Sequence, residues 1–211
     1  MIKILIADDH DIVREGMKGI VARTSDMEVC AEARTAHQVL NLVRDQECDV
    51  VILDIKFERG GSGLDVLKEL KQERPRLPVL VLSMHPEDQY AVRVIRAGAA
   101  GYLTKSSAPK ELIKAIRKVF GGGRYISESL AETLASTVGA NAEKPIHQTL
   151  SNREYEIMCL IALGKTIKEI ASELGRSEKT IRTHRDRILV KMHMKKDAEI
   201  IRYAMQNQLV D

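Results

Sequence analysis

The chain has 211 residues, 44% hydrophobic and 30% charged, a balance that suits a soluble protein of one large or two small domains, each able to bury a core. No apolar run approaches the roughly 20 residues of a membrane-spanning helix, and the N-terminal MIKILIADDH turns acidic too soon for a signal peptide, so a cytoplasmic protein with no membrane partner is expected. The net charge of +3 says little, but between Arg176 and Lys196 eight basic residues stand against Glu178 and Asp186, a local +6 that fits a nucleic-acid surface as well as a solvated helix face.

Residues 1–120 alternate strand-like and helix-like segments. Apolar strands are expected at 2–7, 29–31, 50–53, 79–82 and 101–103, and helical periodicity near 12–22, 36–44, 63–73, 89–97 and 110–120. Five βα units predict a flavodoxin-like, doubly wound α/β domain with a five-stranded parallel sheet in the order 2-1-3-4-5. Cys30, Cys48 and Cys159 have no metal-like or redox-like spacing and read as small buried hydrophobes in a reducing compartment.

The stretch Val50-Val51-Ile52-Leu53-Asp54 reads as a strand buried on both faces that ends in a carboxylate, and such a charge needs a cation, a metal or solvent to offset its desolvation. A helix N-cap is the plainest role for a lone Asp there. Asp54 is not alone, however. Asp8 and Asp9 end the first strand, Ser83 follows the fourth and Lys105 the fifth, so all converge on one edge of the sheet. Carboxylates so placed repel one another, and a hard divalent cation, Mg²⁺, with a balancing lysine is the simplest remedy. A hydroxyl and an ammonium opposite the metal make a site for phosphoryl oxygens.

Asp8-Asp9, Asp54, Ser83, the run Gly98-Ala99-Ala100-Gly101-Tyr102-Leu103-Thr104-Lys105 and Pro109 together resemble the receiver domain of two-component response regulators. The resemblance implies that Asp54 accepts a phosphoryl group from a sensor histidine kinase or a small acyl phosphate. Asp9, Asp54, the backbone carbonyl of Lys56 and, largely through water, Asp8 would hold Mg²⁺. Lys105 would pair with the phosphoryl group, Ser83 would donate a hydrogen bond to it, and Tyr102 would swing inward on activation. The family commonly has Met-Pro shortly after the acceptor and a glycine eight positions on. Here residues 56–63 lack the proline and run one residue longer, which predicts a more mobile acceptor loop.

Gly121-Gly122-Gly123 stops the fifth helix. A short helix over 127–138, capped by Ser127, and a linker over 139–145 follow. The last sixty residues hold no strand pattern. A capping box of Ser151 and Glu154 opens a helix through Leu163, and further helices are expected at 167–174, 178–192 and 198–207. A short helix, a turn with Gly175 and a basic helix form a helix-turn-helix, whose second helix enters the major groove of double-stranded DNA. In that basic helix Ile181, His184, Ile188 and Met192 should face the core. Arg182 and Thr183, with Thr180 beside them, sit where base edges are read, whereas Lys168, Lys179, Arg185 and Arg187 suit phosphates. Asp186 could accept from cytosine or pair with an arginine.

Residues 150–154, 164–171 and 177–184 resemble the LuxR-type helix-turn-helix, and with the receiver they point to the NarL/FixJ class. The implied organisation is a receiver at 1–122, a linker with a short helix at 123–147 and a DNA-binding domain at 148–211, dimerising on DNA through the last helix. An aspartyl-phosphate phosphatase would carry a second Asp at position 56, which is Lys56, so an enzyme is not expected. The alternative is a transcription regulator with a degenerate receiver that works without phosphorylation.

Overall fold

The computed structural model describes residues 1–57, 61–84, 87–128, 130–132, 134, 145–207 and 209–210. They form two compact units, Met1–Val138 and Gly139–Asp211. No helix among the described residues is long and apolar enough to cross a membrane.

The first unit is built on strands β1 (Ile2–Ala7), β2 (Met27–Ala33), β3 (Val50–Asp54), β6 (Val79–Ser83) and β7 (Gly101–Thr104), all parallel, in the order β2-β1-β3-β6-β7. Two short strands, β4 (Lys56–Phe57) and β5 (Gly61–Ser62), stand apart from this sheet. Every residue of β3 and β6 is buried, as continuous aliphatic runs in a sheet covered on both faces require. The edge strand β2 is longer than its apolar pattern suggests, because it hydrogen-bonds on one side only and its outer positions, Glu28 and Glu32, tolerate charge.

Helices α1 (Asp11–Val21), α2 (Ala36–Asp45), α3 (Gly63–Glu73), α4 (Glu87–Arg96) and α5 (Ala108–Phe120) join the strands. In α5, Leu112, Ala115, Ile116 and Val119 recur at helical spacing and are all buried. They pack with Ile4, Ile6, Ile52, Leu80 and Leu82, the residues that alternation sends to one face of the sheet, and with Met17 of α1. Burying each such Leu or Ile contributes roughly 1.5–3 kcal/mol. The register sets Ala7 beside Leu53, Asp54 beside Leu82 and Ser83 beside Thr104, which aligns the carboxyl ends of β1, β3, β6 and β7.

The loop after Asp54 closes on itself. Lys56 pairs with Ser62 and Phe57 with Gly61 in a small antiparallel hairpin, Phe57 is buried, and Gly63 N donates to Ile55 O at 2.9 Å. Residues 58–60, within the stretch expected to be mobile, lie outside the described residues, and α3 begins at Gly63. A side chain there is excluded, since a Cβ would lie 2.1 Å from the carbonyl oxygen of Asp54.

Ser127 Oγ accepts from Leu130 N at 3.1 Å, and residues 128, 130–132 and 134 are helical. The rest of the expected 127–138 helix, and 139–144 of the linker, lie outside the described residues. Of the cysteines, Cys159 is buried as expected, but Cys30 and Cys48 are only half-buried. Cys30 is the odd residue where β1 and β2 slip register, and Cys48 lines a surface cleft with Pro75 and Leu77, so neither is enclosed by a core.

The second unit is helical: a 3₁₀ turn (Ile146–Thr149), then α6 (Asn152–Ala162), α7 (Ile167–Glu173), α8 (Glu178–Lys191) and α9 (Asp197–Gln206). Ser151, Thr166 and Ser177 cap α6, α7 and α8, the first two as full capping boxes with Glu154 and Glu169. Each such cap is worth about 1 kcal/mol. Gly164 and Gly175 leave α6 and α7 with φ of 78° and 58°, the left-handed exit that glycine allows without strain. Tyr155, Ile157, Met158, Ile170, Ile181, Ile188, Met192 and Ile200 form the core.

Candidate functional site

The carboxyl ends of β1, β3, β6 and β7 bring Asp8, Asp54, Ser83 and Lys105 to one pocket. Asp8, Asp54 and Ser83 are buried, although each is polar or charged. Lys105 Nζ donates to Asp54 Oδ2 at 2.6 Å and meets Asp8 Oδ2 at 2.7 Å. Asp54 Oδ1 accepts from the backbone N–H of Lys56 at 3.2 Å. Burial, reinforced by the Asp8 charge, pushes the Asp54 carboxyl up to about 6, against the pull of Lys105. Burial draws the Lys105 ammonium down, but attraction to Asp54 and hydrogen bonds to both carboxylates outweigh it and raise its pKa.

Asp9 lies at the mouth of the pocket, and His10 stands half-exposed beside it. One ligand atom from each of Asp8, Asp9, His10 and Asp54 lies within 4.8 Å of the others. Three carboxylates that close, two of them buried, with a single lysine to offset them, make a donor set that fits a hard divalent cation. Ser83 O accepts from Lys105 N at 2.7 Å, so the end of β6 also fixes the backbone of the lysine. Tyr102 is buried on β7, and its N–H donates to Tyr125 O at 3.0 Å.

Two residues at this edge escape a reading based on strand ends alone. His10 follows the Asp pair directly, and that adjacency was the available signal. Arg14 is buried on α1: Nη1 donates to Asp8 O at 2.8 Å, Nη2 is held by Asp11, and Nε donates to Glu32 Oε2 at 3.3 Å. It braces the loop that carries the aspartates, and an arginine inside an amphipathic helix gives no sign of facing inward.

In the second unit, α8 buries Ile181, Ile188 and Leu189, with Met192 buried just past its end, and half-buries His184, whose Nδ1 has no hydrogen-bond partner among the described residues. Burial first, then Arg187, lowers its pKa. Lys179, Thr180, Arg182, Thr183, Asp186 and Arg187 are exposed on α8, and Lys168 is exposed on α7. Thr180 Oγ1 and Ser177 Oγ share a hydrogen bond of 2.8 Å at the helix start. Thr183 Oγ1 donates to Lys179 O at 3.0 Å. Arg185 stands apart from this group: Nε donates to both Asp197 oxygens at 2.8 and 3.0 Å, and Nη1 to Asp186 at 3.2 Å.

A doubly wound sheet with an acidic, lysine-bearing pocket at its carboxyl edge, followed by a helix-turn-helix unit with an exposed basic face, defines a receiver joined to a LuxR-type DNA-binding module. Family comparison agrees: residues 4–117 match the response regulator receiver domain, and 148–204 match the bacterial regulatory proteins of the luxR family. The chain is 37% identical to the response regulator GacA of Pseudomonas aeruginosa, over 100% of this chain and 99% of that one. It is 35% identical to the oxygen regulatory protein NreC of Staphylococcus carnosus, over 99% of each. Among solved structures, RcsB of Salmonella typhimurium aligns at 26% identity over 98% of both chains, with a TM-score of 0.68. RcsB bound to a promoter in the presence of a BeF₃⁻ phosphomimetic aligns at 26% identity over 96% of this chain and 97% of that one, with a TM-score of 0.60. The chain therefore belongs to the NarL/FixJ-class response regulators, DNA-binding transcription regulators of two-component systems.

Proposed function

We propose that this regulator is switched by phosphorylation of Asp54, with a receiver at 1–122, a linker at 123–147 and a DNA-binding domain at 148–211. The observation that carries the reading is the buried Asp54 carboxylate held 2.6 Å from Lys105 at the end of a fully buried strand. One Asp54 oxygen attacks the phosphorus of a phosphohistidine on a sensor histidine kinase, or of a small acyl phosphate, and the bond from phosphorus to the donor breaks. Asp9, Asp54 and the carbonyl of Lys56, with Asp8 largely through water, would hold Mg²⁺. When bound, that ion neutralises phosphoryl oxygens. The metaphosphate-like transition state asks for positioning and charge more than covalent help. Lys105 leaves its carboxylates to pair with the phosphoryl group, Ser83 donates a hydrogen bond to it, and Tyr102 occupies the inward position that this rearrangement favours.

In the second unit, Arg182 and Thr183, with Thr180 beside them, read base edges, while Lys168, Lys179 and Arg187 meet phosphates. Arg185 binds Asp197 and its neighbour Asp186, and contributes by holding α8 and α9 in register. A symmetric dimer on half-sites about one helical turn apart follows from this type of domain, and the likeness to a structure of two RcsB dimers bound to two parallel DNAs supports a dimer on DNA. So read, the chain is a regulator and not an enzyme. Incubation with Mg²⁺ and acetyl phosphate should add one phosphoryl mass to the wild type and none to Asp54→Asn. Equal labelling of both would refute the assignment.

A further inference from the structure

We propose that His10 is a nitrogen ligand in the carboxylate pocket, so that the site takes borderline divalent ions of the Zn²⁺ and Co²⁺ type in addition to Mg²⁺. The inference rests on the reading of Asp8, Asp9 and Asp54 as a cation site. Oxygen donors alone suit hard ions such as Mg²⁺, whereas an imidazole in the set shifts preference toward later first-row metals.

His10 is placed for this on two counts. Its Nδ1 lies 3.1 Å from Asp8 Oδ1 and 3.0 Å from Asp9 Oδ1, so the ring turns its inner nitrogen toward the carboxylates. Its backbone is fixed as well, since His10 N donates to Asp8 Oδ1 at 2.9 Å and His10 O accepts from Arg14 N at 3.2 Å as α1 begins. The buried Arg14 guanidinium, bonded to Asp8 O, braces the same turn from beneath. A small shift of the ring would bring its nitrogen and the carboxylate oxygens around one ion. Nδ1 would then coordinate while the half-exposed edge of the ring, bearing Nε2, faces solvent.

The test titrates the full chain with CoCl₂, ZnCl₂ and MgCl₂ by calorimetry, with Co²⁺ visible absorption and the His10 ring ¹⁵N signals as direct readouts. Variants are His10→Ala, His10→Gln and Asp9→Asn, each checked for an unchanged melting curve. Losing a group that merely orients a ligand weakens metal binding 10–100-fold, so losing a ligand should cost at least about tenfold. Expected are a Co²⁺ and Zn²⁺ affinity at least tenfold weaker in both His10 variants, Mg²⁺ affinity within about twofold of wild type, and loss of all three ions in Asp9→Asn. If Asp9→Asn loses Mg²⁺ but the His10 variants keep Co²⁺ and Zn²⁺, the imidazole is not a ligand and this inference fails while the pocket reading stands. If the His10 variants bind Mg²⁺ much more tightly with Co²⁺ unchanged, His10 competes with the ion and the inference also fails. Full Mg²⁺ binding by Asp9→Asn would instead overturn the pocket itself.

Discussion

Lys105 Nζ bridges Asp54 Oδ2 and Asp8 Oδ2 at 2.6 and 2.7 Å, and all three side chains are buried. One cation thus serves two anions, and removing it leaves like charges facing each other out of water. Lys105→Ala should lower stability by about 3 kcal/mol at pH 7.5, the scale for breaking a buried pair on one side. Millimolar Mg²⁺ should restore much of the loss, because a divalent ion can take over the neutralising role. Urea unfolding with and without MgCl₂ measures both effects; an equal loss in the two conditions would mean that the pocket does not take the ion.

A second prediction concerns pH. The Asp54 carboxyl is raised to about 6 from an ordinary 3.8, chiefly by burial and then by Asp8. Because the folded state holds this proton more tightly than the unfolded chain, the ionised carboxylate destabilises the fold at all pH above about 6. That penalty fades as pH falls from 6 toward 4. Asp54→Asn should therefore be more stable than wild type by about 1–3 kcal/mol at pH 7.5, and the gain should vanish near pH 4. Thermal melts across this range would show it; a gain independent of pH would locate the effect elsewhere.

Much of this site was legible in the sequence because strand ends are. A run such as Val50–Asp54 or Val79–Ser83 declares both its burial and its end, and parallel topology then forces those ends together. What escaped was whatever depends on side-chain direction or on a loop. The residues after Asp54 gave no sign of cross-strand pairing, since a missing proline and an added residue do not declare a hairpin, yet β4 and β5 pair on either side of residues 58–60. Arg185 looked like its basic neighbours, and only packing against α9 turns it to Asp197, twelve residues on. His10 and Arg14 were hidden by the start of an amphipathic helix.

The hairpin makes Gly63 a sensitive position. A methyl group there would stand 2.1 Å from Asp54 O and 2.7 Å from Ile55 Cα, and neither backbone atom can yield as a side chain can. Gly63→Ala should cost about 2 kcal/mol or more, at the upper part of the range for overpacking. It should also slow acetyl phosphate labelling of Asp54 more than Gly19→Ala does, since a Cβ at Gly19 meets nothing within 4 Å. Chemical denaturation and labelling kinetics on the two variants separate the site effect from a general loss of stability.

On the DNA side, the exposed and the internally paired cations of α8 should behave differently. Arg182→Ala should narrow the affinity difference between operator and mismatched DNA, each specific contact being worth about 1–3 kcal/mol. Lys179→Ala should weaken all sequences alike and reduce the slope of log affinity against log salt by about one. Arg185 is bound to Asp197 and Asp186 and only part-exposed. Arg185→Ala should therefore lower the melting temperature of the second unit while leaving the salt slope unchanged. Fluorescence anisotropy over a salt series, with melts of each variant, distinguishes the three residues. A salt slope reduced by Arg185→Ala at wild-type stability would show that the arginine leaves Asp197 to meet phosphate.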